Sequence, residues 1–321
     1  MGTNILNIFH RNNKIRLAEF LYKHCNEVRR TPAYIRFYRR LARLIEAFEK
    51  HIQKDIYTDS FDERVTEEYI HFIRESKPMK KGHAAYRQST VSYFKSKTIA
   101  ALHKAERQGY GVLADSLQHY TIPTEDTSSV YLSEKEIQRL NSLELGKEQS
   151  RVRDLFVLGC CTALRYSDYT RLTEANFKDN SISILTQKTD TRVVIPVHRI
   201  VKEIIQRNGG YSFLTYKDSQ QNFNKMIKRI CKKANIMEEV LVERTEGFKK
   251  IRKKYKKYEL ISSHTARRSG ATNMYLAGIA PFRIMLITGH KTESAFYRYI
   301  RIQKEENAKD LSNHPYFNGK P

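Results

Sequence analysis

The chain has 321 residues, enough for two domains that each bury a core, and its 58 lysines and arginines exceed its 35 aspartates and glutamates by a net +23 at pH 7. This excess favours a polyanionic partner, nucleic acid before an acidic membrane surface. No apolar run approaches the roughly 20 residues of a membrane-spanning helix, and the N-terminus lacks the apolar core of a signal peptide, so we expect no membrane partner and a cytoplasmic location in a bacterial cell.

The four cysteines give no sign of a metal site or a disulfide framework. Cys25, Cys160, Cys161 and Cys231 form no CxxC motif and have no histidine at a ligand spacing. We therefore expect buried thiols, with no metal and no cofactor.

Residues 1–120 are predicted to form a helical domain. Thr31 and Pro32 are typical of a helix start, and apolar residues then recur at helical spacing from Leu41 to Ile52. Similar patterns predict helices over residues 15–28, 65–73 and 89–108. We find no strand pattern in this part of the chain.

The outward faces of these helices carry many basic side chains. Singly, such residues usually face solvent, but as a set on a strongly basic chain they favour contacts with backbone phosphates and salt-dependent binding. The set comprises Arg36, Arg39, Arg40, Lys80, Lys81, Arg87, Lys95, Lys97 and Lys104.

A polar stretch broken by Pro123 separates this domain from the next. It lacks apolar periodicity and predicts an interdomain linker at residues 121–129. The second domain, residues 130–321, opens with Ser133 and Glu136 in the pattern of a helix capping box.

A helix junction then places an arginine between two helices. The apolar run from Leu155 to Cys161 predicts a buried helix that ends near Arg165, and Ser167 or Asp168 can cap a new helix running to Leu172. On the residues alone, Arg165 pairs with Asp168 or solvates a helix end.

Two β-type segments, residues 181–186 and 192–197, flank a polar turn and predict a hairpin with Lys188 at or beside its tip. A turn lysine usually faces solvent. Further on, seven of the nine residues from Lys249 to Lys257 are basic. This segment is either a charged solvent loop or, as we favour, a phosphate-contacting arm that includes Lys253 and Lys254.

The most informative stretch is residues 264–301. His264 and Arg267 leave one helix face about a turn apart, and Arg268 could reach nearly the same place. A turn is expected at residues 289–294, so that Tyr299 lies on its own short helix after His290, with Tyr297 as its competitor.

These residue types suit the chemistry of one phosphodiester. A guanidinium binds non-bridging phosphate oxygens bidentately, and imidazoles can donate hydrogen bonds or exchange protons near neutral pH. A tyrosine hydroxyl, with a reference pKa of about 10, can be a nucleophile beside a base or in a positive pocket.

The motifs resemble those of the tyrosine recombinase, or phage integrase, family. His264-Thr265-Ala266-Arg267-Arg268, Thr288-Gly289-His290 and Tyr299-Ile300 look like its box II, and the string from Thr162 to Asp168 looks like its box I. The resemblance implies a mainly α fold, with a helical core-binding (SAM-like) bundle at 1–120 and a mostly helical α+β catalytic domain with a small antiparallel sheet at 130–321. It favours Arg267 over Arg268 and Tyr299 over Tyr297.

The resemblance also implies residue roles and partners. Arg165, Arg267, His264 and His290 would hold the phosphate, Lys188 would protonate the 5′-oxygen, and Tyr299 would form a 3′-phosphotyrosine. We expect a site-specific recombinase for integration, excision or inversion, nucleoid-associated, monomeric when free and tetrameric on paired sites in double-stranded DNA. The alternatives are a type IB-like topoisomerase and a non-catalytic DNA-binding protein.

Overall fold

The computed structural model describes residues 14–76, 85–111, 122, 125, 129–216, 218–300, 308, 311–312 and 315–319. The chain divides into two compact units. The first comprises Met1–Thr127 and Val242–Lys253, and the second comprises Ser128–Leu241 and Lys254–Pro321. The first unit is therefore completed by a segment that lies more than a hundred residues further along the chain.

The first unit contains the four predicted helices. These are α1 (Leu17–Glu27), α2 (Pro32–Ile52), α3 (Glu63–Glu75) and α4 (Gln88–Arg107). Helix α2 begins as predicted, because the Thr31 hydroxyl accepts a hydrogen bond from the amide of Tyr34 at 3.4 Å and Pro32 follows it. On α4, Ala101 is buried, whereas Ile99 is only half-buried.

The second unit is mostly helical, with a small antiparallel sheet. Its helices are α5 (Glu134–Asn141), α6 (Lys147–Thr162), α7 (Tyr166–Tyr169), α8 (Arg199–Arg207), α9 (Gln220–Lys233), α10 (Lys257–Leu260), α11 (Ser263–Leu276), α12 (Pro281–Thr288), α13 (Glu293–Tyr297) and α14 (Pro315–Asn318). Strands β1 (Phe177–Lys178), β2 (Ser181–Leu185) and β3 (Arg192–Pro196) pair in the order β1-β2-β3. The predicted fold class is confirmed.

Two glycines bring the central helices of this unit close together. A Cβ atom at Gly270 of α11 would overlap the carbonyl oxygen of Cys160 and lie 2.9 Å from the Cβ atom of Ala163. On α6, a Cβ atom at Gly159 would lie 2.7 Å from the ring of Tyr169. Since α6 leads into Arg165 and α11 carries Arg267, this close packing sets the distance between the two arginines.

The basic segment after residue 248 is a strand and not the charged solvent loop that was one of its two interpretations, while its contact with phosphates stays a prediction. Strands β4 (Glu239–Glu246) and β5 (Lys249–Lys256) form a two-stranded hairpin. Ion pairs between the two strands, instead of alternating apolar side chains, characterise this hairpin. Arg252 pairs with Glu243 at 2.7 Å and Lys254 pairs with Glu239 at 3.3 Å. Apolar periodicity therefore gave no signal for either strand.

The closed end of this hairpin, residues 242–253, belongs to the first unit. The amide of Gly247 donates a hydrogen bond to the carbonyl of Tyr86 at 2.8 Å, and Glu246 forms a β-bridge with Arg87. The Phe248 ring lies 5.4 Å from the guanidinium carbon of Arg74. These contacts make the hairpin end part of the first unit's own structure.

Candidate active site

Arg267 is buried at the centre of the predicted site. It is 1% exposed, and its guanidinium donates to the carbonyl oxygens of Ala163 at 2.8 Å and Thr288 at 2.9 Å. Its Nη2 also lies 2.9 Å from Nε2 of His290. Among the described residues, its Nε atom has no hydrogen-bond partner. Carbonyls at the ends of α6 and α12 thus orient a guanidinium whose Nε–H group is left to bind a ligand.

Arg165 supplies a second cation next to Arg267. It stands at the N-cap of α7, and this helix ends at Tyr169 instead of reaching Leu172, without a capping side chain from Ser167 or Asp168. Its buried Nη1 atom has no hydrogen-bond partner within the described part of the chain. Burial first, and then the charge of Arg165, lower the pKa of Arg267 to about 10. Two neighbouring guanidiniums that repel each other favour an anionic ligand.

His264 lies in the same positive environment. The residue is exposed, yet its pKa is lowered to about 4. Loss of solvent around the ring is the largest cause, followed by the charges of Arg268, Arg267, Arg165 and Lys188. His264 is therefore neutral at pH 7.

His290 is held in one tautomer. Because an arginine only donates hydrogen bonds, Nε2 of His290 must accept from Arg267, and the ring proton sits on Nδ1. Nδ1 lies 2.8 Å from the Thr288 hydroxyl, which in turn donates to the carbonyl of Ile284 at 2.9 Å. Burial and then the charges of Arg267, Arg165 and His264 lower the pKa of His290 to about 3.

The Tyr299 ring lies among these groups. Its centroid is 5.2 Å from the ring of His264 and 4.7 Å from that of His290, and the guanidinium carbon of Arg267 lies 5.1 Å from it. Tyr297 is 47% exposed and packs against Phe296. The structure therefore brings Tyr299, and not Tyr297, to the two imidazoles.

The predicted turn between His290 and Tyr299 is confirmed, but the helix assignment of the tyrosine was wrong. Gly289 ends α12 with a φ of 67°, and Thr292 caps α13. Helix α13 ends at Tyr297, so Tyr299 lies two residues beyond it, with its amide bonded to the carbonyl of Phe296 at 2.8 Å. A turn instead of a helix positions the hydroxyl.

Lys188 lies in the turn between β2 and β3, as predicted. Its side chain is exposed, and its charge contributes to lowering the pKa of His264. The preceding amide, of Gln187, donates to Oδ1 of Asp168 at 2.8 Å, and Asp168 is fully buried. Asp168 thus connects the Arg165 junction to the hairpin that carries Lys188.

Arg268 does not reach the same place as Arg267. Its Nη1 atom donates to the carbonyl of Val130 at 3.2 Å. The side chain of the next residue, Ser269, accepts from the amide of Leu132 at 2.8 Å. This part of α11 therefore fixes the start of the second unit, and the choice of Arg267 from the motif agrees with the geometry.

Thr288 was named in the sequence motif, but no role was predicted for it. It is fully buried, its carbonyl accepts from Arg267, and its hydroxyl contacts His290. The signal available in the sequence was its position directly before Gly289 and His290. Both contacts depend on the bend at Gly289, which residue spacing alone could not supply.

The predicted DNA-contacting side chains have different surroundings. In the first unit, Arg87 is exposed and lies 3.9 Å from Glu246, Lys95 is half-buried with a pKa lowered by burial, and the ammonium of Lys97 lies 5.4 Å from the ring centroid of Tyr93. On β5, Lys253 is exposed and Lys254 pairs with Glu239. Lys80, Lys81 and most of the predicted linker 121–129 lie outside the described residues.

Within the described ranges, no helix is long and apolar enough to cross a bilayer, and no cluster of three His, Cys, Asp or Glu could hold a metal ion.

Comparison with solved structures shows the same fold in several DNA-bound proteins. The Tn1549 transposon integrase in complex with circular intermediate DNA is 18% identical, with a TM-score of 0.63, over 92% of this chain and 99% of that one. A lambda integrase dimer bound to a core site is 14% identical, with a TM-score of 0.61, over 90% and 78%. The XerH recombinase bound to its difH substrate is 13% identical, with a TM-score of 0.60, over 92% and 94%.

Family models match both parts of the chain. Residues 16–121 match the phage integrase SAM-like domain, and residues 130–306, more than half of the chain, match the phage integrase family. No curated protein matches the chain by sequence. The chain therefore belongs to the phage integrase family and is a tyrosine-type site-specific DNA recombinase.

Proposed function

We propose that Tyr299 is the nucleophile of this recombinase and that Arg165, Arg267, His264, His290 and Lys188 form its catalytic site. The observation that carries this proposal is the grouping of Arg267, His290 and Tyr299, in which one guanidinium bonds to the imidazole and lies over the phenol ring. The pKa of Arg267, lowered to about 10, still leaves it charged at neutral pH.

The unpaired N–H groups of the two arginines would bind the non-bridging oxygens of the scissile phosphate. Nε of Arg267 and Nη1 of Arg165 are buried without hydrogen-bond partners among the described residues. Charge that builds on phosphate oxygens during attack is stabilised by fixed cations in a partly dry site. The repulsion between Arg165 and Arg267 is relieved when the anion binds, which favours binding of the phosphate.

The proposed step exchanges one phosphodiester bond for another. A bond forms between the Tyr299 oxygen and phosphorus, and the bond from phosphorus to the 5′-oxygen breaks. The phenolic proton passes to the imidazole of His264, which is neutral at pH 7, because Nε2 of His290 already accepts from Arg267 and its Nδ1 already carries a proton. The Lys188 ammonium gives a proton to the departing 5′-oxygen. The reverse reaction with a 5′-hydroxyl from a partner duplex joins the new strands, so no nucleotide hydrolysis is needed.

We assign residues 1–120 to a core-binding domain, 121–129 to a linker and 130–321 to the catalytic domain, acting on duplex DNA in the bacterial nucleoid. The DNA in the related structures and the +23 net charge support this assignment. The dimer and tetramer forms of lambda integrase on DNA support a tetramer on paired sites. We propose that this tetramer assembles from free monomers. Exposed apolar side chains suited to subunit contacts are Phe282 and Leu286 on α12 and Tyr316 and Phe317 on α14.

Covalent capture tests the nucleophile and finds the target at once. The protein is mixed with sheared DNA from the source cell, covalent complexes are isolated under denaturing conditions, and the attached ends are sequenced. We expect one recurrent site with wild-type protein and with Tyr297→Phe, and no complex with Tyr299→Phe, which should still bind the recovered duplex. Covalent complex with Tyr299→Phe would overturn the assignment.

A plasmid assay distinguishes recombination from relaxation of supercoils by a topoisomerase. Wild-type protein should leave a supercoiled plasmid without the recovered site unrelaxed, and should recombine a plasmid that carries two copies. Efficient relaxation of the site-free plasmid would favour a type IB-like topoisomerase. Binding without any covalent product would favour a non-catalytic DNA-binding protein.

A further inference from the structure

A single buried hydroxyl ties together the turn that carries Lys188. Thr186 is 1% exposed. Its hydroxyl donates to the carbonyl of Thr191 at 3.0 Å, accepts from the amide of Thr191 at 3.2 Å, and lies 2.8 Å from the hydroxyl of Thr189. All three bonds run to residues of the same turn.

The backbone is held on both sides of Lys188. Before it, the amide of Gln187 donates to Asp168 at 2.8 Å. After it, the amide of Asp190 donates to the carbonyl of Thr186 at 3.0 Å. The Lys188 side chain itself is exposed. The ammonium can therefore move by rotation of its side-chain bonds while its backbone stays in place.

The hairpin does not need the Thr186 hydroxyl in order to form. Strands β2 and β3 pair through five residue pairs, the last being Leu185 with Arg192. The amide of Thr186 then donates to the carbonyl of Thr191 at 2.9 Å, which closes the ladder through the backbone. The hydroxyl bonds lie beyond the last paired residues of the two strands, so we assign their main effect to the shape of the turn.

We propose that Thr186 is a positioning residue for Lys188, whose hydroxyl fixes the turn so that the ammonium reaches the 5′-oxygen without a rearrangement of the loop. This inference rests on the proposed role of Lys188 as the acid. Proton transfer needs the two heavy atoms within about 2.6–3.2 Å. If the turn could move by about 1 Å, the rate of DNA cleavage would fall by up to about 100-fold.

Sulfur substitution of the leaving oxygen isolates this role. The site recovered by covalent capture is made in two forms, one with the normal 5′-oxygen and one with a bridging 5′-sulfur, which leaves as a thiolate without needing a proton. We expect Thr186→Val to slow cleavage of the oxygen duplex about 10- to 100-fold and cleavage of the sulfur duplex by no more than about threefold. Thr186→Ser keeps the hydroxyl and should retain the wild-type rate.

Two further measurements complete the test. Ser183→Ala removes another hydroxyl from the same hairpin, one that accepts a hydrogen bond from Arg192, and should leave cleavage of both substrates unaffected. In the free protein, hydrogen exchange at the amides of residues 187, 190 and 191 should be faster in Thr186→Val than in wild type.

The Lys188→Ala variant separates the possible failures. If sulfur does not rescue Lys188→Ala, the assignment of Lys188 as the acid is wrong, and the inference about Thr186 falls with it. If sulfur rescues Lys188→Ala, but Thr186→Val cleaves both substrates at the wild-type rate or slows both equally, the positioning role alone is overturned.

Discussion

Arg267 donates a hydrogen bond to Nε2 of His290 over 2.9 Å, so a cation and a neutral imidazole are held together as one unit. The same nitrogen of Arg267 donates to the carbonyl of Thr288 at 2.9 Å, while the Thr288 hydroxyl contacts the other side of the imidazole. Movement of the guanidinium would therefore release the ring as well. This arrangement makes the planar geometry of Arg267, and not only its charge, important for the site.

Arg267→Lys keeps the positive charge and removes the planar guanidinium with its several N–H donors. A lysine cannot donate to Ala163, Thr288 and a phosphate oxygen in the same geometry, so we expect single-turnover cleavage to slow about 100- to 1000-fold. Arg153→Lys is the matched control, because Arg153 is also buried in the second unit but bonds to the carbonyls of Asn141 and Leu143. It should lower stability and leave the cleavage rate of the folded protein unchanged. Near-normal cleavage by Arg267→Lys would contradict the assignment.

The pH dependence of cleavage should lack an ordinary histidine titration. With pKa values lowered to about 4 and about 3, His264 and His290 stay neutral from pH 8 down to pH 5. We therefore expect no loss of the single-turnover cleavage rate around pH 6.5, where an unperturbed histidine gains its proton. A loss centred near pH 6.5 that disappears in His264→Gln would show that this ring is charged in the range where we expect it neutral.

The same shifts affect folding stability. Between pH 6.5 and about 4 the unfolded chain binds more protons at these two positions than the folded chain does, so stability rises with pH in this window. The free energy of unfolding should be highest above pH 6.5 and fall towards pH 4. Urea unfolding at pH 7 and pH 5 measures the difference, which should be smaller in His290→Gln than in wild type. An equal difference in the two proteins would contradict the lowered pKa of His290.

Gly270→Ala should be strongly destabilising. The added methyl group would overlap the carbonyl oxygen of Cys160, and backbone on both sides leaves it little room to move. We expect a loss of about 1–3 kcal/mol, measured by urea unfolding. Gly146→Ala is the control, since a Cβ atom there meets nothing within 4 Å, and should change stability by less than about 0.5 kcal/mol. Equal effects of the two variants would mean that α6 and α11 can separate at no cost.

Glu239 should weaken DNA binding by the β4–β5 hairpin. It pairs with Lys256 and Lys254, whose hydrogen bonds and then charges hold its pKa below the usual range. Glu239→Gln should tighten binding and steepen its salt dependence, and Lys254→Ala should reduce the slope of log K against log salt by about 0.9 if Lys254 contacts a phosphate. Glu144→Gln, an exposed site in the second unit, makes the same change in net charge. If it matches Glu239→Gln, the hairpin has no special part in binding.

Helices with local signals could be predicted from the sequence. Thr31 with Pro32 marked the start of α2, and Ser133 with Glu136 forms the predicted capping box, with the amide of Ser133 donating to Oε2 of Glu136 at 2.8 Å. These signals work because donor and acceptor are neighbours in the chain. The turn at Gly289 could also be predicted, because it too depends on residues that are close in the chain.

Features set by distant contacts could not be predicted. The bond between Asp168 and the amide of Gln187 spans 19 residues, and that between Arg267 and the carbonyl of Ala163 spans 104. Strand β5 was missed because its cations are balanced by carboxylates on β4 that periodicity does not register. The position of Tyr299 beyond α13 depends on where that helix ends, which the short motif does not specify.

The β4–β5 hairpin has a consequence for any attempt to study the two parts of this protein as fragments. Cleavage between residues 127 and 128 would not release an intact first unit, because residues 242–253 would remain on the other piece. The truncated product would expose the carbonyl of Tyr86 and leave Arg87 without its strand partner Glu246. The N-terminal piece is therefore expected to regain its native thermal stability only when a peptide covering the missing loop is added back.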